Sequence, residues 1–225
     1  MKTRCPNPCC AFRFEVPAES AGKNGPCPAC GQVITYRSLD LLLQLDRQRE
    51  RMAKAHRAGA PRPPPPAAAL TALLEDVRSL WNVGAIFRTA DGAGFQGLYL
   101  CGITGVPPRP QIAKTSLGAE EVVPWTYEPG ALAVLPKLKA RGVLTVGLEW
   151  TGKSELLSAA LARGALRRPL CLAVGNEVAG LSAETLAACD LVCHLPMRGV
   201  KTSLNVAVAF GIAAYQIGDR FGRVE

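Results

Sequence analysis

Leu172-Ala173-Val174-Gly175-Asn176-Glu177-Val178-Ala179-Gly180-Leu181-Ser182 is the stretch on which the fold turns. An apolar, β-rich run meets a glycine, a carboxylate follows two residues later, and a second glycine precedes a serine suited to cap a helix. Strand, turn and helix in that order make the repeating unit of an α/β domain. A glycine at the carboxyl end of a parallel strand commonly opens space for a cofactor. Read alone, Glu177 is no more than a polar residue in a surface turn. Working outward, the pattern predicts strands over 70–74, 98–101, 143–148, 170–174 and 191–195, and helices over 83–92, 131–140, 155–162, 182–188 and 203–221. Strands separated by helix-length segments imply an α/β domain with a mostly parallel sheet, spanning residues 68–225.

Upstream the texture changes. Residues 61–67 carry Pro61-Arg62-Pro63-Pro64-Pro65-Pro66, a semi-extended spacer that marks a linker. Residues 37–60 read as a basic helix. Ser38 is its N-cap, Leu39, Leu42, Leu43 and Leu45 begin an apolar face, and Arg47, Arg49, Arg51, Lys54 and Arg57 follow. Residues 1–36 are rich in cysteine and turn residues: Cys5, Cys9 and Cys10, then Cys27-Pro28-Ala29-Cys30-Gly31. Two close cysteine pairs flanking a hairpin-length segment suit four thiolates around a structural zinc ion. The second pair is Cys27 and Cys30. In the first, Cys5 partners either Cys9 or Cys10. Cys10-Ala11-Phe12-Arg13-Phe14 resembles the residues after the first knuckle of small zinc ribbons, which favours Cys10. A ribbon this short has little core, so metal would supply most of its folding free energy.

The chain has 225 residues and a formal net charge of +8, which points to a polyanionic partner, nucleic acid first, or to a merely solvated basic surface. Cys101, Cys171, Cys189 and Cys193 sit in apolar surroundings and read as core residues. No signal-peptide core opens the sequence, and the longest apolar stretch, 204–217, contains Asn205 and is too short to span a bilayer. A reducing, cytoplasmic setting without a membrane is expected, so clustered cysteines imply metal rather than disulfides.

Two further stretches complete the reading. Asn82-Val83-Gly84-Ala85-Ile86-Phe87-Arg88-Thr89-Ala90 places a capping-type residue, a glycine and an arginine on one helix, with Arg88 about two turns in. Leu195-Pro196-Met197-Arg198-Gly199-Val200-Lys201-Thr202-Ser203-Leu204-Asn205-Val206 puts Ser203 and Asn205 at the opening of an apolar helix. Free N–H groups there suit polar ligand groups, and ordinary capping by Ser203 is the bland alternative. Taken together with residues 175–181, these stretches resemble the three signature motifs of the SpoU family, the TrmH-like RNA methyltransferases of the SPOUT superfamily. The resemblance covers residues 68–225 and leaves out the ribbon, the basic helix and the linker.

The resemblance implies a deep C-terminal trefoil knot, a feature that no periodicity predicts. It also implies S-adenosylmethionine held by Leu148, Gly175, Leu195, Met197 and Leu204, with Gly175 keeping a Cβ out of the cofactor's path. It implies a homodimer packed on the knot helices, which would account for a 203–217 helix that reads as buried nearly all round. The implied reaction is transfer of a methyl group to a ribose 2′-hydroxyl of tRNA or rRNA. Arg88 would fix the target phosphate and stabilise alkoxide charge, while Asn82, Glu177, Ser203 and Asn205 orient it and the ribose. Two other readings compete. A knotted enzyme methylating an RNA base would give a different methylated nucleoside, and a non-catalytic RNA-binding knot protein would not bind S-adenosylmethionine.

Overall fold

A computed structural model of the chain describes residues 1–7, 10–43, 47 and 70–221. The N-terminal module is two antiparallel hairpins. β1 (Lys2–Arg4) pairs with β2 (Arg13–Glu15), and β3 (Asn24–Pro26) pairs with β4 (Val33–Thr35). Its core is small: Cys5, Cys27 and Ile34, with Cys10, Phe14 and Tyr36 against them. Helix α1 follows, described at residues 39–43 and 47, and the Ser38 hydroxyl accepts from Leu41 N as expected of a cap. The expected remainder of the basic helix, Leu45 included, and the proline linker lie outside the described residues, as does Cys9.

The larger domain runs β5 (Leu70–Glu75), α2 (Leu80–Gly92), β6 (Leu98–Cys101), α3 (Pro110–Ser116), α4 (Ala119–Val122), β7 (Trp125–Glu128), α5 (Leu135–Ala140), β8 (Leu144–Leu148), β9 (Glu155–Leu156), α6 (Leu157–Ala162), β10 (Leu170–Val174), α7 (Ala183–Ala188), β11 (Leu191–His194) and α8 (Val206–Phe221). Among the described residues these strands form one seven-stranded sheet in the order β7-β6-β5-β10-β8-β11-β9, and every pairing is parallel. Helices cover both faces, which is why the strands read as unbroken apolar runs instead of alternating with polar residues. Leu70, Ala72, Leu74, Leu170, Leu172 and Val174 point into one core with α2, α6 and α8. Leu73, Cys171 and Ala173 point into the other with α5 and α7.

Several expected boundaries move. Glu155 and Leu156, expected to open a helix, extend the sheet as an edge strand. The expected 131–140 helix is a short 3-10 turn at Ala131–Ala133 followed by α5, which has Pro136 in its first turn. β11 stops at His194, so Leu195 lies beyond the strand. The last helix starts at Val206 rather than Ser203, because the Asn205 side chain accepts from Ala207 N and Val208 N and is itself the cap. α8 is not buried all round in the single chain: Val208, Ile212 and Tyr215 are 51%, 41% and 51% exposed, while Phe210, Ala213, Ala214 and Ile217 are buried. Cys101, Cys171 and Cys193 are core residues as expected, and Cys189 is half-buried. No helix among the described residues is long and apolar enough to cross a membrane.

Candidate functional site

The carboxyl ends of β8, β10 and β11 open into one cleft, at the place where β10 lies between β5 and β8 and the strand order reverses. Crevices of this kind are the usual ligand sites of open α/β sheets. Leu148, Gly175, Leu195, Met197 and Leu204 all line it, together with Glu177 and Ser203. The role expected of Gly175 changes. A Cβ there would overlap the backbone of Gly180 and Leu181, so the glycine lets the 175–180 turn fold back on itself rather than clearing a path for a ligand. Asn176 and Gly180 form the bridge that closes this turn, and the Asn176 Oδ1 accepts from Val178 N (2.9 Å) and Ala179 N (3.0 Å).

Glu177 is thereby presented to α2. Its carboxylate accepts from Arg78 N (3.0 Å), Ser79 N (2.9 Å) and Asn82 Nδ2 (2.9 Å). Partial burial disfavours its charge, but these donors outweigh burial and hold the carboxyl below the usual glutamate range. Ser79, not Asn82, caps α2, accepting from Asn82 N. Asn82 is therefore free to bridge: its Oδ1 accepts from Asn205 Nδ2 (3.1 Å). α2 sits tightly on α3 because Gly84 has no Cβ, which would overlap Thr115 and the Ile112 carbonyl. The structure thus joins Asn82, Glu177 and Asn205 in one hydrogen-bonded chain and puts Ser203 in the cleft beside it. It does not bring Arg88 to them. Arg88 is exposed six residues further along α2, roughly 9 Å of helix rise beyond Asn82. Among the described residues its side chain makes no hydrogen bond or ion pair.

Sequence reasoning missed Glu149, Trp150, Asn176 and His194, which also line the cleft. Glu149 accepts from Leu181 N (3.0 Å) and Trp150 N (3.1 Å), pinning the far side of the turn. His194 Nδ1 lies 3.0 Å from Ser154 Oγ. The available signal was positional: polar residues directly after the apolar runs of β8 and β10 fall at the carboxyl ends where ligands bind.

In the ribbon, Cys5, Cys10, Cys27 and Cys30 bring all four sulfurs within 4.8 Å of one another. Cys5 and Cys30 Sγ are 3.7 Å apart, and Cys10 and Cys27 Sγ are 3.8 Å apart. A tetrahedron with zinc–sulfur bonds of about 2.3 Å has edges of about 3.8 Å, so the donor set fits that ion. Burial pushes the Cys5 thiol up to about 12, so the group needs a cation before all four can be thiolates.

Residues 69–215 match the sequence model of the SpoU rRNA Methylase family. The RlmB 23S rRNA (guanosine-2′-O-)-methyltransferase of Shewanella oneidensis is 33% identical over 144 residues, 64% of this chain and 56% of that protein. The RlmB enzyme of Ralstonia nicotianae is 30% identical over 186 residues, 83% of this chain and 68% of the relative. Among solved structures, the SpoU methyltransferase AviRb from Streptomyces viridochromogenes in complex with AdoMet superposes with a TM-score of 0.61 at 26% identity. That match covers 73% of this chain and 63% of AviRb. The chain spans little more than half the length of several of the relatives it matches.

Proposed function

We propose, from the premise that this chain belongs to the SpoU rRNA methylase family, that residues 68–225 transfer a methyl group from S-adenosylmethionine to a ribose 2′-hydroxyl of tRNA or rRNA. The observation that carries the reading is the Asn205–Asn82–Glu177 chain. It ties together side chains 123 and 95 residues apart in sequence, at the edge of a cleft lined by all five expected cofactor residues.

When bound, S-adenosylmethionine supplies an electrophilic methyl on a sulfonium. The cleft offers it apolar walls (Leu148, Leu195, Met197, Leu204) and polar backbone at the turn. Transfer would form an O–CH3 bond and break an S–CH3 bond, leaving S-adenosylhomocysteine, and the hydroxyl proton would pass to water. An arginine stays protonated at neutral pH, so Arg88 acts as a cation. Although the single chain holds it apart from the Asn82–Glu177–Asn205 network, in this proposal it would anchor the phosphate beside the target ribose and stabilise the oxygen as it loses its proton. Among the described residues the Arg88 side chain has no hydrogen-bond or ion-pair partner, which would leave its donors available for that contact. Asn82, Glu177 and Asn205 form a preorganised network that fixes α2 against the cleft, and the Ser203 hydroxyl faces the ribose. Such positioning supplies up to roughly 7–11 kcal/mol of barrier reduction.

The remaining expectations form part of the same proposal. The segment from β11 to α8 would make the trefoil knot, an expectation that rests on membership of the SpoU family. The exposed Val208, Ile212 and Tyr215, spaced at 4 and 3 residues, form a stripe for a second copy of the chain. Zinc held by Cys5, Cys10, Cys27 and Cys30 would be structural, because four protein ligands leave no open position. The basic N-terminal segment, 1–60, would contact RNA phosphates, and the enzyme would work in the cytoplasm. Tritium transfer from labelled S-adenosylmethionine into total RNA tests the reading. Label in RNA is expected with wild type. No transfer and no calorimetric binding of the cofactor would favour a non-catalytic RNA-binding protein.

A further inference from the structure

The cysteine ribbon is docked on the larger domain through polar contacts to buried groups, and those contacts lead to the catalytic turn. β4 ends at Thr35. Its N–H donates to Glu184 Oε1 (3.3 Å), and its hydroxyl accepts from Ala183 N (3.2 Å). Ala183 opens α7, so Thr35 satisfies one of the N–H groups that a helix start leaves without an internal partner. Glu184 is buried, and a buried carboxylate needs hydrogen-bond partners. The residue before this helix, Ser182, donates through both its N–H and its hydroxyl to Glu75 at the end of β5 (2.9 Å each).

Two residues beyond Thr35, Arg37 Nη1 lies 4.0 Å from Asp76 Oδ2, with both side chains largely buried. Asp76 follows Glu75 and is strained, a non-glycine residue at φ +56°. Its Oδ1 accepts from Ile103 N (2.9 Å), and its carbonyl accepts from Asn176 Nδ2 (2.8 Å). Asn176 closes the turn that presents Glu177. Arg78 and Ser79, two and three residues after Asp76, donate their N–H groups to the Glu177 carboxylate. One short segment, 75–79, thus meets the ribbon on one side and the catalytic turn on the other. Glu75 and Asp76 set two carboxyls next to each other in a buried place, and Arg37 brings the opposing charge.

We propose that the metal-bound ribbon is a buttress of the catalytic turn, with Arg37 as a positioning residue that acts through Asp76, Asn176 and Glu177, and Thr35 as one that acts through Ala183, Ser182 and Glu75. The proposal rests on the methyltransferase reading above. A ribbon that served only as a tethered RNA-binding arm would have no need of bonds to Glu184, Ala183 and Asp76. The ribbon's three-residue strands and small core depend on the metal. Metal loss would release Thr35 and Arg37 together and loosen residues 175–180.

The test uses the full chain with zinc content measured. Arg37→Ala should lower kcat about 10-fold, the scale expected for coupling through a packed network. KM for RNA should stay within about twofold and zinc at about one per chain. Hydrogen exchange at the Val178 and Ala179 amides should speed up. Arg37→Lys should restore most of the rate, because a point charge keeps the pairing with Asp76. Chelation of the wild type should give the same faster exchange, and chelation of Arg37→Ala should add little. Thr35→Val serves the same purpose if Arg37→Ala folds poorly. A raised KM for RNA with kcat and exchange unchanged would overturn the proposal and make the ribbon an RNA-binding arm. Exchange reads the coupling without turnover, so a wild type that methylates no RNA would sink the enzymatic reading and leave the buttress to be decided by exchange.

Discussion

Replacing Glu177 by glutamine keeps shape and removes charge, and the structure sets the size of the effect. The carboxylate accepts three N–H groups, from Arg78, Ser79 and Asn82. A glutamine carries one acceptor oxygen, so its amide nitrogen must face at least one of these donors. One charge-assisted bond is lost outright and the other two become neutral. Bonds to a charged group contribute about 1.5–3 kcal/mol and neutral ones about 0.5–1.5, and the half-buried setting trims the difference to a net loss of about 2 kcal/mol. For a domain of this size that corresponds to a fall in Tm of about 4–8 °C. If the same 2 kcal/mol is lost from the positioning of Asn82, kcat falls about 30-fold. The pH dependence has a defined sign. The folded pKa of Glu177 is lowered, so its extra stability is present above the ordinary glutamate range, near about 4.3, and is lost as pH falls through the lower folded value. The stability gap between wild type and Glu177→Gln should therefore be constant between about pH 5 and 8 and close on further acidification. Circular-dichroism melts across that range, with methyl transfer at neutral pH, measure both quantities. A variant that melts within about 1 °C of wild type and turns over within about twofold would refute the argument that Glu177 organises the site.

Arg88→Ala should abolish methyl transfer, by at least about 100-fold, and leave the calorimetric affinity for S-adenosylmethionine unchanged, since Arg88 is exposed and lies outside the cleft lining. Gly175→Ala should cost about 1–3 kcal/mol in denaturant melts and weaken cofactor binding, because the new methyl must displace the backbone at Gly180 and Leu181. Ile212→Asp, in the exposed stripe of α8, should convert a dimer to a monomer in sedimentation while the far-ultraviolet spectrum is kept. A monomeric wild type would contradict the role assigned to that stripe.

The sheet was legible because its strands are buried on both faces. Leu70–Leu74 and Leu170–Val174 read as unbroken apolar runs, and no other period competes with that pattern. β7 and β9 escaped notice. Trp125–Glu128 alternates buried and half-buried residues at a sheet edge, and Glu155–Leu156 is two residues long and leads straight into a helix. The start of α8 was misplaced because Ser203 and Asn205 are both good caps, and only the hydrogen bonds to Ala207 and Val208 decide between them. At the cleft, the sequence pattern picked out residues that line it, Gly175, Glu177 and Ser203 among them, but not their wiring. That Glu177 binds the backbone of Arg78 and Ser79 depends on β5 and β10 being sheet neighbours, a long-range fact with no local signature. Asp76 and its contact with Arg37 were invisible for the same reason.

The most direct test of the central claim is the identity of the methylated nucleoside. RNA incubated with the full chain and S-adenosylmethionine would be digested to nucleosides and analysed by mass spectrometry. The account predicts a nucleoside carrying its added methyl on the ribose 2′-oxygen, absent with Arg88→Ala. A methyl group on the base, with an unmodified ribose, would contradict it.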